Sequence, residues 1–161
     1  MFETGTRLRE LGIELPPPLK LPEGTKLPFP WVNVRGDRVF VSGHTAQEAD
    51  GSLAGPFGQL GAEVTVEEGY ALARKTGLAM LGSLERALGD LDRIAGWARV
   101  FGMVNSAPGF DRQPAVINGF SELILEVFGP EIGRHARSAV GMASLPMGVA
   151  VEIEAEVLLH P

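Results

Sequence analysis

The stretch Arg137-Ser-Ala-Val-Gly-Met-Ala143-Ser-Leu-Pro146-Met-Gly148-Val149-Ala-Val-Glu152-Ile-Glu154-Ala155-Glu156-Val157 reads as two strands joined by a turn. Its second half alternates: Val149, Val151, Ile153, Ala155 and Val157 fall on one face, and Ala150, Glu152, Glu154 and Glu156 on the other. A period of two with one apolar and one charged face is the pattern of a half-buried strand. Leu145-Pro146 interrupts it, because proline fixes φ and restricts the residue before it.

Upstream, Pro114–Phe128 carries an apolar stripe of Val116, Ile117, Phe120, Leu123, Ile124 and Val127 at helical spacing. Proline suits its first turn, and Gly129-Pro130 is expected to stop it. Trp97–Val104 is strand-like. Thr65-Val-Glu-Glu68 opens a longer helix with a capping box. Ala73, Gly77, Met80, Leu81, Leu84 and Leu88 form its buried stripe, and Gly89 terminates it. The small residues at 73 and 77 are expected to let this helix approach a sheet closely. Residues 45–64 form a long glycine-rich loop. Trp31–Val34 and Arg38–Ser42 flank Gly36-Asp37 as a hairpin.

Half of the twelve prolines lie in the first thirty residues, which predicts an extended arm over 1–30 with a short helix at Thr6–Gly12. The expectation is one domain over 1–161 in the order β-β-α-β-α-β-β. This is an α+β fold with one mixed sheet and two helices on one face, leaving the other face solvated or covered by a partner.

The 161 residues carry 21 Gly and 12 Pro, 45% apolar residues and no Cys. Disulfides, thiolate metal sites and a Cys nucleophile are excluded. Three scattered histidines make no metal motif, so no metal is expected. A net charge of −6 opposes nucleic-acid binding through phosphates. No apolar run is long enough to span a membrane. Met1–Gly5 has neither a basic nor an apolar leader segment, so a cytoplasmic location without membrane association is the expectation.

Among chemistry-bearing residues, Arg137 has small neighbours and a planar fork suited to a carboxylate. A nearby Glu of the last strand would serve as base; alternatively Arg137 simply pairs with one of those glutamates. Gly43 at a strand end permits close backbone approach, and His44 is either an acid/base group or a partly exposed loop histidine. Asn118 either binds a ligand or satisfies a local backbone group.

Arg137–Ala155 resembles the signature of the RidA (YjgF/YER057c/UK114, L-PSP) family: an Arg-Ser/Thr strand, a Leu-Pro turn and a Val/Ile-Glu-Ile-Glu-Ala strand. Val39-Phe-Val-Ser-Gly-His44, Gly89-Asp-Leu-Asp-Arg93, and Val104-Asn105 followed by Phe110 agree in order. The resemblance covers about residues 29 to 158. With Val66-Glu-Glu-Gly-Tyr70 and His135-Ala-Arg-Ser-Ala-Val-Gly141, the chain resembles a RidA-like branch distinct from the best-studied deaminases.

The resemblance implies a chorismate-mutase-like fold and a homotrimeric barrel with clefts between subunits. It implies hydrolysis of enamine/imine intermediates such as 2-aminoacrylate to a 2-keto acid and ammonia, without a cofactor. Arg137 would hold the substrate carboxylate and Glu152 would activate water. Phe29, Gly43, His44, Asn118 and Ala139 would line the pocket. Ala139 stands where Cys is frequent, Phe29 where an aromatic hydroxyl is frequent, and His44 where Gln is common. The alternatives are a non-catalytic trimer that binds small carboxylates and, disfavoured by net charge, a ribonuclease or translation inhibitor.

Overall fold

A computed structural model describes residues 3–161; Met1 and Phe2, on which part of the leader expectation falls, lie outside the described residues. Its elements are α1 (Thr4–Glu10), β1 (Val32–Arg35), β2 (Arg38–Thr45), α2 (Val66–Leu88), β3 (Ile94–Asn105), α3 (Gln113–Ile132), β4 (Ala136–Met142) and β5 (Val151–Leu159). The strands form one sheet in the order β1-β2-β5-β3-β4. All neighbours are antiparallel except β3 and β4, which are parallel and joined through α3. This is the expected mixed sheet of a chorismate-mutase-like α+β fold, with α2 and α3 packed on one face.

Local chemistry accounts for the elements. The Thr65 hydroxyl accepts from the Glu68 amide at 3.1 Å while the Glu68 carboxylate accepts from the Thr65 amide at 2.8 Å. This satisfies two donors that a helix start leaves orphaned. Gly89 ends α2 in the left-handed region at φ 80°, where a Cβ would be strained. The apolar face of β5, from Val151 to Val157, is buried against the helices as the alternation requires.

Several expectations need correction. Gly77 of α2 serves helix–helix contact rather than the expected helix–sheet contact: a Cβ on it would lie 2.6 Å from Leu123 Cδ2 of α3. Gly119 of α3 likewise leaves no room for a Cβ beside the Tyr70 carbonyl of α2. Gly129-Pro130 ends the regular part of α3 as expected: Gly129 leaves helical geometry at φ 76° and ψ 173°, and Pro130 begins a separate short turn that reaches Ile132. The final strand starts at Val151 rather than Val149, after a tight turn at Pro146–Gly148, and runs to Leu159. The fourth strand runs from Ala136 to Met142 instead of ending at Ala143.

The N-terminal arm is docked. Leu8 of α1 is buried, and Arg7 Nε donates to the Glu126 carbonyl of α3 at 3.0 Å. Further along, Arg86 Nη1 donates to Pro16 O at 3.1 Å and Gln47 Nε2 to Pro17 O at 2.9 Å. The loop before α2 is also tied down: Leu60 is buried, and its amide donates to Asn105 O at 2.7 Å.

Among the described residues, no helix is long and apolar enough to cross a membrane.

Candidate functional site

The sheet register decides which candidate residues share a face. Arg137 lies opposite Val100, and Val100 lies opposite Ala155. Val100 and Ala155 are core residues, so Arg137 points to the helix side of the sheet. Glu152 lies opposite Met103, three residues further along β3. An odd offset in a strand reverses the face, so Glu152 points to the open side. Arg137 and Glu152 of one chain therefore do not converge, and the cluster read from the sequence is split between two faces. Among the described residues, no strand glutamate pairs with Arg137; Glu156 pairs with Arg38 instead, with Arg38 Nε to Glu156 Oε1 at 2.8 Å.

Around Arg137 the sheet edge meets the first turns of α3. Arg137 Nη1 donates to Ser121 Oγ at 3.0 Å and Nη2 to the Pro114 carbonyl at 3.2 Å. Asn118 is four residues after Pro114 and three before Ser121, so it occupies the same stripe of the helix. It is half-buried. Ala139, two residues after Arg137, shares its face and lies opposite Gly102. Gly102 has no Cβ because Ile117 of α3 would meet one at 2.6 Å. Partial burial lowers the Arg137 pKa from its ordinary value, and the group stays cationic.

The second cluster is on the open face near the end of β2. The β2–β5 register slips between Val41 and His44, so Ser42 and Gly43 occupy a bulge. The Glu152 carboxylate lies across Gly43, with Cδ 3.0 Å from where a Cβ would be. Glycine is therefore a packing requirement at 43. Burial, reinforced by the Glu154 charge, raises the Glu152 pKa. A carboxylate so shifted is a better base than an exposed one. Phe29 is 45% exposed and stacks edge-on against Trp31 with ring centroids 5.7 Å apart. Pro30 O accepts from Ser42 Oγ at 2.8 Å, which ties this aromatic segment to the bulge.

His44 borders the second cluster from the helix side of the sheet, its ring centroid 5.3 Å from that of Trp31. It lies within β2 opposite Ile153, is only 3% exposed, and points to the helix side. This corrects its reading as a partly exposed loop histidine: the bulge at Ser42–Gly43 turns it inward. Its Nδ1 is 2.6 Å from Ser42 O and its Nε2 is 2.8 Å from Ser83 Oγ. Burial first, and the Arg86 charge as a lesser cause, lower its pKa to about 4, against the pull of the Ser42 carbonyl. It is neutral near pH 7. Sequence reasoning misses Ser121 and His135 beside Arg137. The sole signal is a helix hydroxyl at 121 on the Pro114–Asn118 stripe.

A family model described as "YjgF/chorismate_mutase-like, putative endoribonuclease" matches residues 6–154. "Protein TCP17" of Trypanosoma cruzi is 48% identical over 125 residues, 78% of this chain and 77% of that protein. The crystal structure of Atu1372 from Agrobacterium tumefaciens is 38% identical, covering 97% of this chain and 91% of that one, with a TM-score of 0.84. A "putative endoribonuclease" from Shewanella oneidensis MR-1 is 32% identical, covering 98% and 99%, with a TM-score of 0.85. Sequence, sheet topology and the extent of these matches agree that the chain belongs to the YjgF (RidA, L-PSP) family with the chorismate-mutase-like fold.

Proposed function

We propose that the protein hydrolyses reactive enamine/imine intermediates of the 2-aminoacrylate kind to a 2-keto acid and ammonia. It does so as a homotrimer whose clefts join the Arg137 cluster of one subunit to the Glu152 cluster of the next. The observation that carries this reading is the division of the candidate groups. A carboxylate-binding guanidinium and a carboxylate of raised pKa stand on opposite faces of one sheet, so only an intermolecular cleft unites them.

The enamine first tautomerises to the imine. Arg137 receives the substrate carboxylate in bidentate fashion. Glu152 takes a proton from water as the water oxygen bonds to the imine carbon, and the imine nitrogen takes up a proton. The carbinolamine then collapses: protonated Glu152 gives its proton to the amine nitrogen, the hydroxyl proton passes to the freed carboxylate and on to solvent, the C=O forms, the C–N bond breaks and ammonia departs. Arg137 anchors the carboxylate so that the imine carbon faces the water that Glu152 orients.

The test couples the protein to a pyridoxal-phosphate dehydratase acting on serine and follows ammonia and keto-acid release. Wild type is expected to accelerate decay of the intermediate. Arg137→Ala is expected to lose about 100-fold or more, on the order of removing one key electrostatic group. Equal rates in wild type, Arg137→Ala and buffer would sink the proposal.

A second reading, carboxylate binding without turnover, draws on Phe29 and Ala139, which bring no hydroxyl and no thiol to the cleft. It is selected if 2-ketobutyrate raises Tm in wild type but not in Arg137→Ala, and no ammonia forms. The endoribonuclease names of relatives are tested by RNA cleavage in the same preparation; a net charge of −6 disfavours that outcome.

A further inference from the structure

Two hydrogen-bonded chains in the fold have the same construction. In the first, His135 Nδ1 is 2.7 Å from Gly133 O, His135 Nε2 is 2.9 Å from Ser121 Oγ, and Arg137 Nη1 is 3.0 Å from that hydroxyl. In the second, His44 Nδ1 is 2.6 Å from Ser42 O, His44 Nε2 is 2.8 Å from Ser83 Oγ, and Arg86 Nη2 is 3.3 Å from that hydroxyl. Each histidine is anchored by the carbonyl two residues before it, and each arginine also donates to a proline carbonyl: Pro114 for Arg137 and Pro16 for Arg86.

The proton positions follow from the partners. A carbonyl only accepts, so each Nδ1 carries the hydrogen. The neutral ring then has a bare Nε2, which accepts from the serine hydroxyl. With its proton committed, the serine offers lone pairs in a fixed direction to the arginine. The chain therefore sets the orientation of the guanidinium at its end.

The two chains differ in what that guanidinium does. Arg86 is engaged with the N-terminal arm through Pro16. Arg137 spends two of its five N–H groups on Ser121 and Pro114, and among the described residues no side chain takes the other three. Those three are enough for a bidentate carboxylate with one donor to spare. Asn118 stands on the same helix stripe.

We infer that Ser121 and His135 are positioning residues of the Arg137 anion site: they hold the guanidinium in the one rotamer that presents its free donors to a ligand carboxylate. This rests on the reading of Arg137 as the carboxylate holder and names the residues that prepare it. Neither touches the substrate. Their effect is to remove rotamers of a long side chain before binding, which lowers the entropic cost of association.

The experiment measures the Kd of 2-ketobutyrate by calorimetry, with kcat and KM in the dehydratase-coupled assay. The variants are Ser121→Ala, Ser121→Thr, His135→Phe, Ser83→Ala and Arg137→Ala, each checked for an unchanged circular-dichroism spectrum. Ser121→Ala and His135→Phe are expected to raise Kd and KM at least tenfold while kcat falls less than threefold. Ser121→Thr, which restores the hydroxyl, is expected to return within threefold of wild type. Ser83→Ala is expected to leave Kd within twofold. The inference is overturned if Ser121→Ala and His135→Phe bind as wild type while Arg137→Ala does not, if Ser83→Ala weakens binding as much as Ser121→Ala, or if wild type does not bind the acid. Ligand binding that depends on Ser121, in a protein with no turnover, would overturn the deaminase reading alone and leave the positioning role standing.

Discussion

Glu152 and His44 show how burial sets the chemistry of single residues. Burial raises the Glu152 pKa, so the fraction ionised falls at a higher pH than for an exposed carboxylate. If Glu152 is the base, kcat/KM falls as pH drops through that raised pKa, and Glu152→Gln is expected to remove the acidic limb along with most activity. Gly43→Ala is expected to impair turnover similarly, because the added methyl occupies the space of the Glu152 carboxylate. His44 acts on stability. Its pKa is about 4 when folded, against 6.5 for an unperturbed histidine, so the unfolded chain binds more protons between those values. Stability is fully present above about pH 6.5 and declines as pH falls toward 4, by up to about 3 kcal/mol. Urea unfolding of wild type and His44→Gln at pH 7.5 and pH 5 checks this: the variant is expected to lose much of the pH dependence.

At the scale of elements, the pairing of α2 with α3 depends on glycines that helix propensity disfavours. Gly69, Gly77 and Gly82 each cost α2 about 1 kcal/mol relative to Ala. Yet a Cβ at 77 would meet Leu123, and one at 119 would meet the backbone of Tyr70. Close approach therefore outweighs propensity. Gly119→Ala is expected to lower stability by about 1–3 kcal/mol through overpacking, although alanine is the better helix former. Thr65→Ala is expected to cost about 1 kcal/mol through loss of the cap. Chemical denaturation of both variants checks the two values. Much of this was legible in the sequence: Thr65, Glu68 and Gly89 mark the ends of α2 by local chemistry. The partner of Gly77 was not, because a small residue announces a close neighbour without saying which one.

For the whole molecule, the open sheet face is the informative feature. It carries Phe40, Phe101, Val140 and Leu158 among Arg38, Arg99, Glu154 and Glu156, and Phe40, Val140 and Leu158 are exposed. The Arg38 guanidinium sits 5.1 Å from the centre of the Phe40 ring and pairs with Glu156. Such a mixed face suits association with further copies of the same sheet. The proposed trimer should appear in sedimentation equilibrium. Phe40→Asp is expected to shift it to smaller species and to remove turnover although Arg137 and Glu152 are intact. Full activity in a Phe40→Asp monomer would place the whole site in one chain.

The α+β element order, the capped helix, the hairpin, the alternating last strand and the family signature are all written in contiguous residues by period, cap or turn chemistry, and so are readable without coordinates. Which candidates meet depends on folding in three dimensions. A bulge of one residue turned His44 inward, and an offset of three along the ladder sent Arg137 and Glu152 to opposite faces. Ser121 and His135 came to Arg137 from a helix and from the strand entry that follows it. A side-chain period of two makes face assignment depend on register, and register is settled by partners far away in the chain.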